Sequence, residues 1–219
     1  MDAYRDELGI LPEALSNYLL RLGWGHGDDE FITREQAVEW FDLSGVGKSP
    51  SRFDLKKLEN LNGHYIRATD DAVLAGLVVA RLPFAASESQ RDLLRRSMAA
   101  LKPRAANILE LTENSAFLFR TRPLELDADA VALLEGDGRA FLARLHGALD
   151  AVAGWDTEAL EAAVRTVAED AGVKLGAAAQ PLRAALTGKR TSPGIFDVLA
   201  LLGREESLGR IADQMTVPA

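Results

Sequence analysis

The sequence predicts an all-α protein, laid out as an elongated array of helical subdomains. Apolar residues recur at spacings of three and four nearly throughout, and the sustained two-residue alternation of strands is missing. Helix-start signals precede the periodic runs, and glycines follow them. No internal repeat or low-complexity tract interrupts this pattern, although alanines thicken after residue 128.

The first predicted helix opens at Pro12, with Leu15, Leu19 and Leu22 as its apolar stripe and Gly23 as its stop. Thr33 with Gln36, and Ser87 with Gln90, form capping boxes before Ala37, Val38 and Phe41 and before Leu93 and Leu94. Leu160, Val164, Val167, Ala168 and Ala171 share one phase, and Gly172, Gly188 and Gly203 stand just past periodic runs. Breaks fall at Ser44–Arg52, at Thr69–Asp71 and at Thr121–Asp127. Three subdomains are expected, at residues 1–70, 71–122 and 123–219.

Composition narrows the function classes. The 219 residues contain no cysteine, which excludes disulfide frameworks, thiolate zinc sites and cysteine nucleophiles. A net charge of −8 disfavours a non-specific nucleic-acid coat while leaving room for a local basic face. The acidic N-terminus MDAYRDELGI lacks the basic region of a signal peptide. The most apolar window, Val73–Ala86, is interrupted by Arg81 and Pro83, so the expected location is cytoplasmic and no membrane partner is expected.

Several suggestive residues lead nowhere. Gly47-Lys48-Ser49 ends like a phosphate-binding loop, but Asp42 stands where the first glycine belongs and Pro50 follows. His26, His64 and His146 lack ligand spacing, so no metal is expected. The acidic trio Asp28, Asp29 and Glu30 reads as a solvated loop, and Trp24, Trp40 and Trp155 read as core. Neither G-x-S-x-G nor H-E-x-x-H occurs, so no catalytic constellation emerges.

The most informative stretch is VKLGAAAQPLRAALTGKRTSPGIFDVLALLG, residues 173–203. It reads as a helix ending at Gly188, a basic loop with Lys189 and Arg190, and a new helix with Ser192 as N-cap and Pro193 at its first position. Gly194 permits close approach of another backbone or a base. A helix start beside two cations attracts anions, and Ile195 and Phe196 add apolar contact. Splayed single-stranded bases are recognised by that combination. The residues alone also describe an ordinary helix–loop–helix corner with solvated cations, and on chemistry alone that plainer reading is preferred.

The same stretch, through QPLRAALTG and SPGIF, resembles the C-terminal anticodon-binding region of bacterial glutamyl-tRNA synthetases. LPEALSNYLLRLGWGHGDDE (11–30) resembles the segment shortly after that family's catalytic lysine loop, and SPSRFDLKKLENLNGHYIR (49–67) its stem-contact region. The resemblance spans nearly the whole chain in order. Neither a HIGH-like nor a KLSKR-like motif occurs, so it points to the C-terminal part of a class I synthetase without the catalytic domain. ATP and Mg²⁺ are implied only for that domain, and no cofactor for these residues.

The resemblance implies that Arg104, in KPRAANILEL, contacts the third anticodon base and helps separate glutamate tRNA from glutamine tRNA. It implies that Ser192, Pro193, Gly194 and Ile195 form the corner at the first two anticodon bases, with Arg183 facing the same groove. Ser192 stands where many members have threonine, and Ile195 where many have leucine. Arg165 and Lys174 match basic positions, and Lys189 and Arg190 are weaker backbone contacts. From residues alone, Arg104 is a solvated arginine at a helix opened by Pro103. The implied partner is glutamate tRNA, bound by a monomer and without DNA. Two other readings stay open: a helical protein-interaction module that no longer binds RNA, and a small independent enzyme.

Overall fold

The computed structural model describes residues 2–47 and 50–216. Among them there is no strand, only an isolated bridge between Trp24 and Val46. Contacts group the chain into two compact units, Met1–Glu113 and Asn114–Ala219. The expected boundary at 70/71 lies within the first unit, and that at 122/123 within the second. Among the described residues no helix is long and apolar enough to cross a membrane.

The first unit holds α1 (Asp2–Asp6), α2 (Pro12–Gly23), α3 (Arg34–Trp40), α4 (Leu55–Ala68), α5 (Asp71–Val79) and α6 (Glu88–Leu101); α7 (Ile108–Ser115) runs from it into the second. Both expected capping boxes are present at Thr33 and Ser87, and Asp54 and Asp70 cap α4 and α5 by accepting from two backbone N–H groups each. Such caps contribute about 1 kcal/mol apiece and explain why short helices begin where they do.

The stripe expected on α2 is corrected by the structure. Its buried face is Ala14, Leu15, Asn17 and Tyr18, continuing Leu11, whereas Leu19 is 49% exposed. The aromatic body of Tyr18 rotates the buried face away from Leu19, because its hydroxyl donates to Asp54 O (2.9 Å) and accepts from Asp54 N (2.6 Å). The core reading of the tryptophans also needs correction. Trp24 is buried, but Trp40 and Trp155 are half-buried, the latter beneath the Arg204 guanidinium at 4.8 Å. Of the phosphate-loop look-alike, Lys48 and Ser49 lie outside the described residues.

Asn62 is the polar pin of this unit. It occupies the buried phase of α4 with Leu58, Leu61 and Ile66. Its carbonyl accepts from Leu11 N (2.8 Å) and its amide donates to Ala106 O (2.7 Å), joining three segments.

The second unit holds α8 (Ala128–Leu133), α9 (Gly138–Asp150), α10 (Thr157–Asp170), α11 (Leu175–Thr187), α12 (Ile195–Leu202) and α13 (Arg204–Met215). The expected α10 face of Leu160, Val164, Val167 and Ala168 is buried, and α9 packs against α13. Gly172, Gly188 and Gly203 have φ of +67°, +72° and +78°, the left-handed region where glycine carries no Cβ penalty.

Arg210 on α13 is only 2% exposed. Its guanidinium donates to Phe117 O (3.0 Å), Leu186 O (2.8 Å), Arg120 O (2.9 Å) and Glu206 Oε1 (2.6 Å). Burial lowers its pKa from the ordinary guanidinium value, while the Glu206 carboxylate opposes that shift. Beside it, Gln214 donates to Leu124 O (3.0 Å), and Arg122 makes two bonds to Asp213.

Replacing Asn62 by alanine takes the partner from buried Leu11 N and from part-buried Ala106 O, and is expected to cost about 2–4 kcal/mol. Arg210→Met, which strands three carbonyls and Glu206, is expected to cost about 3–5 kcal/mol. Urea unfolding followed by circular dichroism checks both. The hydrogen bonds from Arg122 hold the Asp213 carboxyl below the usual carboxylate range, against an opposing effect of burial. This stabilisation is therefore full above the ordinary carboxylate pKa of about 3.9 and fades as pH falls through the lower folded value. Asp213→Asn should flatten that part of the acid limb in a pH series of melting curves.

Candidate nucleic-acid interface

Of the sequence-predicted cations, Arg104 lies in the first unit and the others in the second, where Arg183 marks the site. In the first unit, α6 runs into a one-turn 3₁₀ helix, Lys102–Arg104, and the chain then extends through Ala105. Pro103 thus lies within this turn, and the next α-helix begins only at Ile108, which corrects the expectation that Pro103 opens a helix. Continuing α6 is blocked because proline supplies no N–H.

Arg104 is exposed, while its backbone surroundings are fixed on both sides. Lys102 Nζ donates to Thr69 O (3.1 Å) and pairs with Asp71 (2.7 Å). Two residues after Arg104, Ala106 O accepts from Asn62 and Ala106 N donates to Glu110 Oε2 (2.8 Å). Ala105 turns its methyl into the core. The result is a guanidinium projecting from a braced corner.

The second site joins α11 to α12. Gly188 closes α11, its carbonyl accepts from Asp127 N (3.0 Å), and an added Cβ there would lie 2.6 Å from Glu125 O. Thr187 is buried and returns its hydroxyl to Arg183 O (2.8 Å). From α11, Arg183 Nη1 donates to Ser192 Oγ (2.6 Å), Ser192 O (3.1 Å) and Pro193 O (3.0 Å). Charge-assisted bonds of this kind are stronger than neutral ones, so one guanidinium nitrogen sets the shape of the corner.

The expected N-cap at Ser192 is not formed. α12 starts at Ile195 with Gly194 as its N-cap, and no side chain caps it. The Ser192 hydroxyl is occupied by Arg183 and by Pro193 O (2.8 Å), which moves the helix start two residues on. Pro193 is buried, and Ile195 at 3% exposure turns inward to the core; Phe196 is half-buried. The corner therefore offers Gly194, its backbone and Ser192, with Ile195 supporting them from beneath.

Arg190 is exposed in the loop and Lys189 is half-buried beside Thr187. Lys174 is exposed at the far end of α11, about 13 Å along the axis from Arg183. Arg165 is exposed on α10, where it pairs with Glu161. The structure brings together Arg183, Ser192, Pro193 and Gly194, and leaves Arg165 and Lys174 on the surrounding surface. His26 pairs with Asp29 (3.0 Å) and stacks on Trp40, and His64 stacks on Phe31, so two of the three histidines have local partners.

Sequence reasoning missed Asn62 and Arg210, on which both corners rest. Their signal was positional. Arg210 shares the buried α13 phase with Ser207, Ile211 and Gln214, as Asn62 does with leucines and isoleucine on α4.

Braced, cation-bearing corners on an all-helical scaffold define a class of helical recognition modules. Residues 73–215 match the family model described as the anticodon binding domain, and the chain belongs to this family. Residues 1–60 match a second family model, tRNA synthetases class I (E and Q), catalytic domain. Among curated relatives, glutamate–tRNA ligase 2 of Rhizorhabdus wittichii is 65% identical over 98% of this chain and 46% of the relative. The glutamate–tRNA ligase 2 of Zymomonas mobilis is 58% identical over 99% and 46%. The solved glutamate tRNA ligase of Elizabethkingia meningosepticum, 25% identical, superposes with a TM-score of 0.77 over 97% of this chain and 42% of that one. The chain thus spans a little under half the length of these relatives.

Arg183→Ala removes all three bonds from its Nη1 to the corner. Amide hydrogen exchange across residues 189–194 should quicken about tenfold or more, corresponding to roughly 1.5–3 kcal/mol for a charge-assisted bond. Exchange in α4 of the other unit should stay unchanged.

Proposed function

We propose that the chain is the tRNA-recognition part of a glutamate–tRNA ligase, gripping the anticodon stem and reading the anticodon of glutamate tRNA in the cytoplasm as a monomer. The observation that carries this reading is the braced corner at Arg183, Ser192, Pro193 and Gly194 within the anticodon-binding match. A corner that keeps its shape without RNA can meet splayed bases at little ordering cost. Ser192 and Gly194 face the first two anticodon bases, while Arg183, Pro193 and Ile195 hold them in place. Arg104 meets the third base, its rigid fork of donors suiting a pyrimidine acceptor edge. Arg165, Lys174, Lys189 and Arg190 meet phosphates on an otherwise acidic body. ATP and Mg²⁺ are assigned to the catalytic domain of such ligases, and no cofactor to these residues.

The test is a titration with glutamate tRNA and glutamine tRNA transcripts at two salt concentrations, for the unaltered chain and for Arg104→Gln. The expected result is salt-sensitive binding that prefers glutamate tRNA. In the variant that preference should shrink by about 1–3 kcal/mol, the worth of one base contact. No binding to either tRNA at low salt would overturn the reading and favour a protein-interaction module.

A further inference from the structure

The first unit contains a cavity that takes no part in the anticodon reading. Its volume is about 450 Å³, the size of a small-ligand site, and residues of α2, of the segment after it and of the start of α4 line it. Tyr18 and Leu61, both buried, form its inner wall. The Tyr18 hydroxyl is committed to the Asp54 backbone, so the cavity meets only its ring.

Phe31 supplies an aromatic side wall. The His64 ring stacks on it at 3.5 Å between centroids and 15° between planes, yet Phe31 remains 45% exposed. The backbone on either side is pinned, because Glu30 O accepts from Asn17 (3.0 Å) and Ile32 O from Tyr65 (3.2 Å). A flat ring held from one face is a ready platform for another ring.

The rim is cationic although the chain has a net charge of −8. Arg21, Arg52 and Lys57 line the cavity against one carboxylate, Glu30. Arg21 approaches Glu30 only to 3.8 Å, beyond hydrogen-bond reach. Among the described residues, the side chains of Arg52, Lys57 and Asn60 have no hydrogen-bond or ion-pair partner. Other charges near in sequence do not alter this balance. Asp54 caps α4 through Lys56 N and Lys57 N, Asp29 pairs with His26, and Asp28, Arg34, Lys56 and Glu59 lie outside the lining. Like charges around a recess concentrate an anion there.

Unpaired cations, a ring platform and a free amide call for an anion carried on a flat heterocycle. Phosphate oxygens match the arginine and lysine donors, and the Asn60 amide can both donate to and accept from a heterocycle edge. A base-paired RNA stem fits poorly, since its bases stay stacked inside and Phe31 and Asn60 would be left idle. We propose that this cavity binds a free nucleoside diphosphate, its base against Phe31 and Asn60 and its phosphates among Arg21, Arg52 and Lys57. The proposal does not rest on how Arg104 and the Ser192 corner read RNA.

The test is calorimetric titration of the full chain with ADP, adenosine and inorganic pyrophosphate, without divalent metal. ADP is expected to bind about tenfold more tightly than either fragment, and less tightly as salt rises. Arg52→Gln and Lys57→Gln remove cations that hold nothing in the unit, so melting curves should match the parent. Each should weaken ADP about tenfold, the worth of a charge-assisted bond. Phe31→Leu keeps an apolar body without the flat ring; it should weaken ADP and leave pyrophosphate unchanged. Lys174→Gln in the second unit should alter neither.

Absence of ADP binding up to about 1 mM overturns the proposal, as does ADP binding that the three substitutions in the cavity leave unchanged. Pyrophosphate bound as tightly as ADP overturns it by showing a plain anion site. A fall in glutamate-tRNA affinity in Arg52→Gln and Lys57→Gln also overturns it, by making RNA the occupant. Unaltered tRNA binding in variants that have lost ADP is the expected result, and it separates this site from the anticodon reading.

Discussion

The guanidinium of Arg210 is the constraint around which the second unit is organised. A cation removed from water costs several kcal/mol unless its donors are satisfied. Here three backbone carbonyls and one carboxylate satisfy them. The acceptors come from three separate segments: the 3₁₀ turn at Phe117, the connector at Arg120, and the last turn of α11 at Leu186. The arginine therefore converts three loose ends into one joint, and the neighbouring Gln214–Leu124 and Arg122–Asp213 bonds extend it along the connector. Because Leu186 lies only a few residues before Gly188, the same joint fixes where α11 stops and the recognition corner starts.

The two candidate sites share a design with that joint. At each, a long polar side chain bonds backbone carbonyls on a neighbouring segment and leaves a short stretch of chain in a set shape. Lys102 and Asn62 brace the turn that carries Arg104; Arg183 braces the corner that carries Ser192 and Gly194. Helices supply the rigid supports, and irregular chain between them presents the contacts. Function on such a scaffold depends less on the exposed residue than on partly hidden polar groups behind it.

That division explains what was legible in the sequence. Helices announced themselves through caps and glycine stops, because Thr33, Ser87, Gly172 and Gly188 act through bonds or backbone angles local to a few residues. The α10 face was equally readable, since four apolar residues in phase admit one buried orientation. The α2 face was not, because Tyr18 and Asn17 compete with Leu19 for the interior and a bond to residue 54 decides between them. Ser192 misled for a related reason. Its hydroxyl is an apt cap in isolation, but Arg183, nine residues away, takes it. The cations of the site were visible as residues and family matches, whereas the braces were hidden among core positions, where an arginine or asparagine reads as an exception to the apolar pattern.

The bond from Arg210 to Phe117 also sets an order of events on the ribosome. It spans 93 residues, and the bonds to Arg120 and from Gln214 to Leu124 span 90 each. At about 5–20 residues per second, some 5–20 s separate synthesis of these carbonyls from that of their donor. Over that interval the helices from α8 to α12 emerge without the element that ties them to the connector. The Asn62 joint spans only 51 and 44 residues, and it closes once Ala106 has been made. Vectorial synthesis therefore gives the two units different histories. The joint of the first unit waits for about half as many residues as that of the second, where α8 to α12 are made before their tie to the connector.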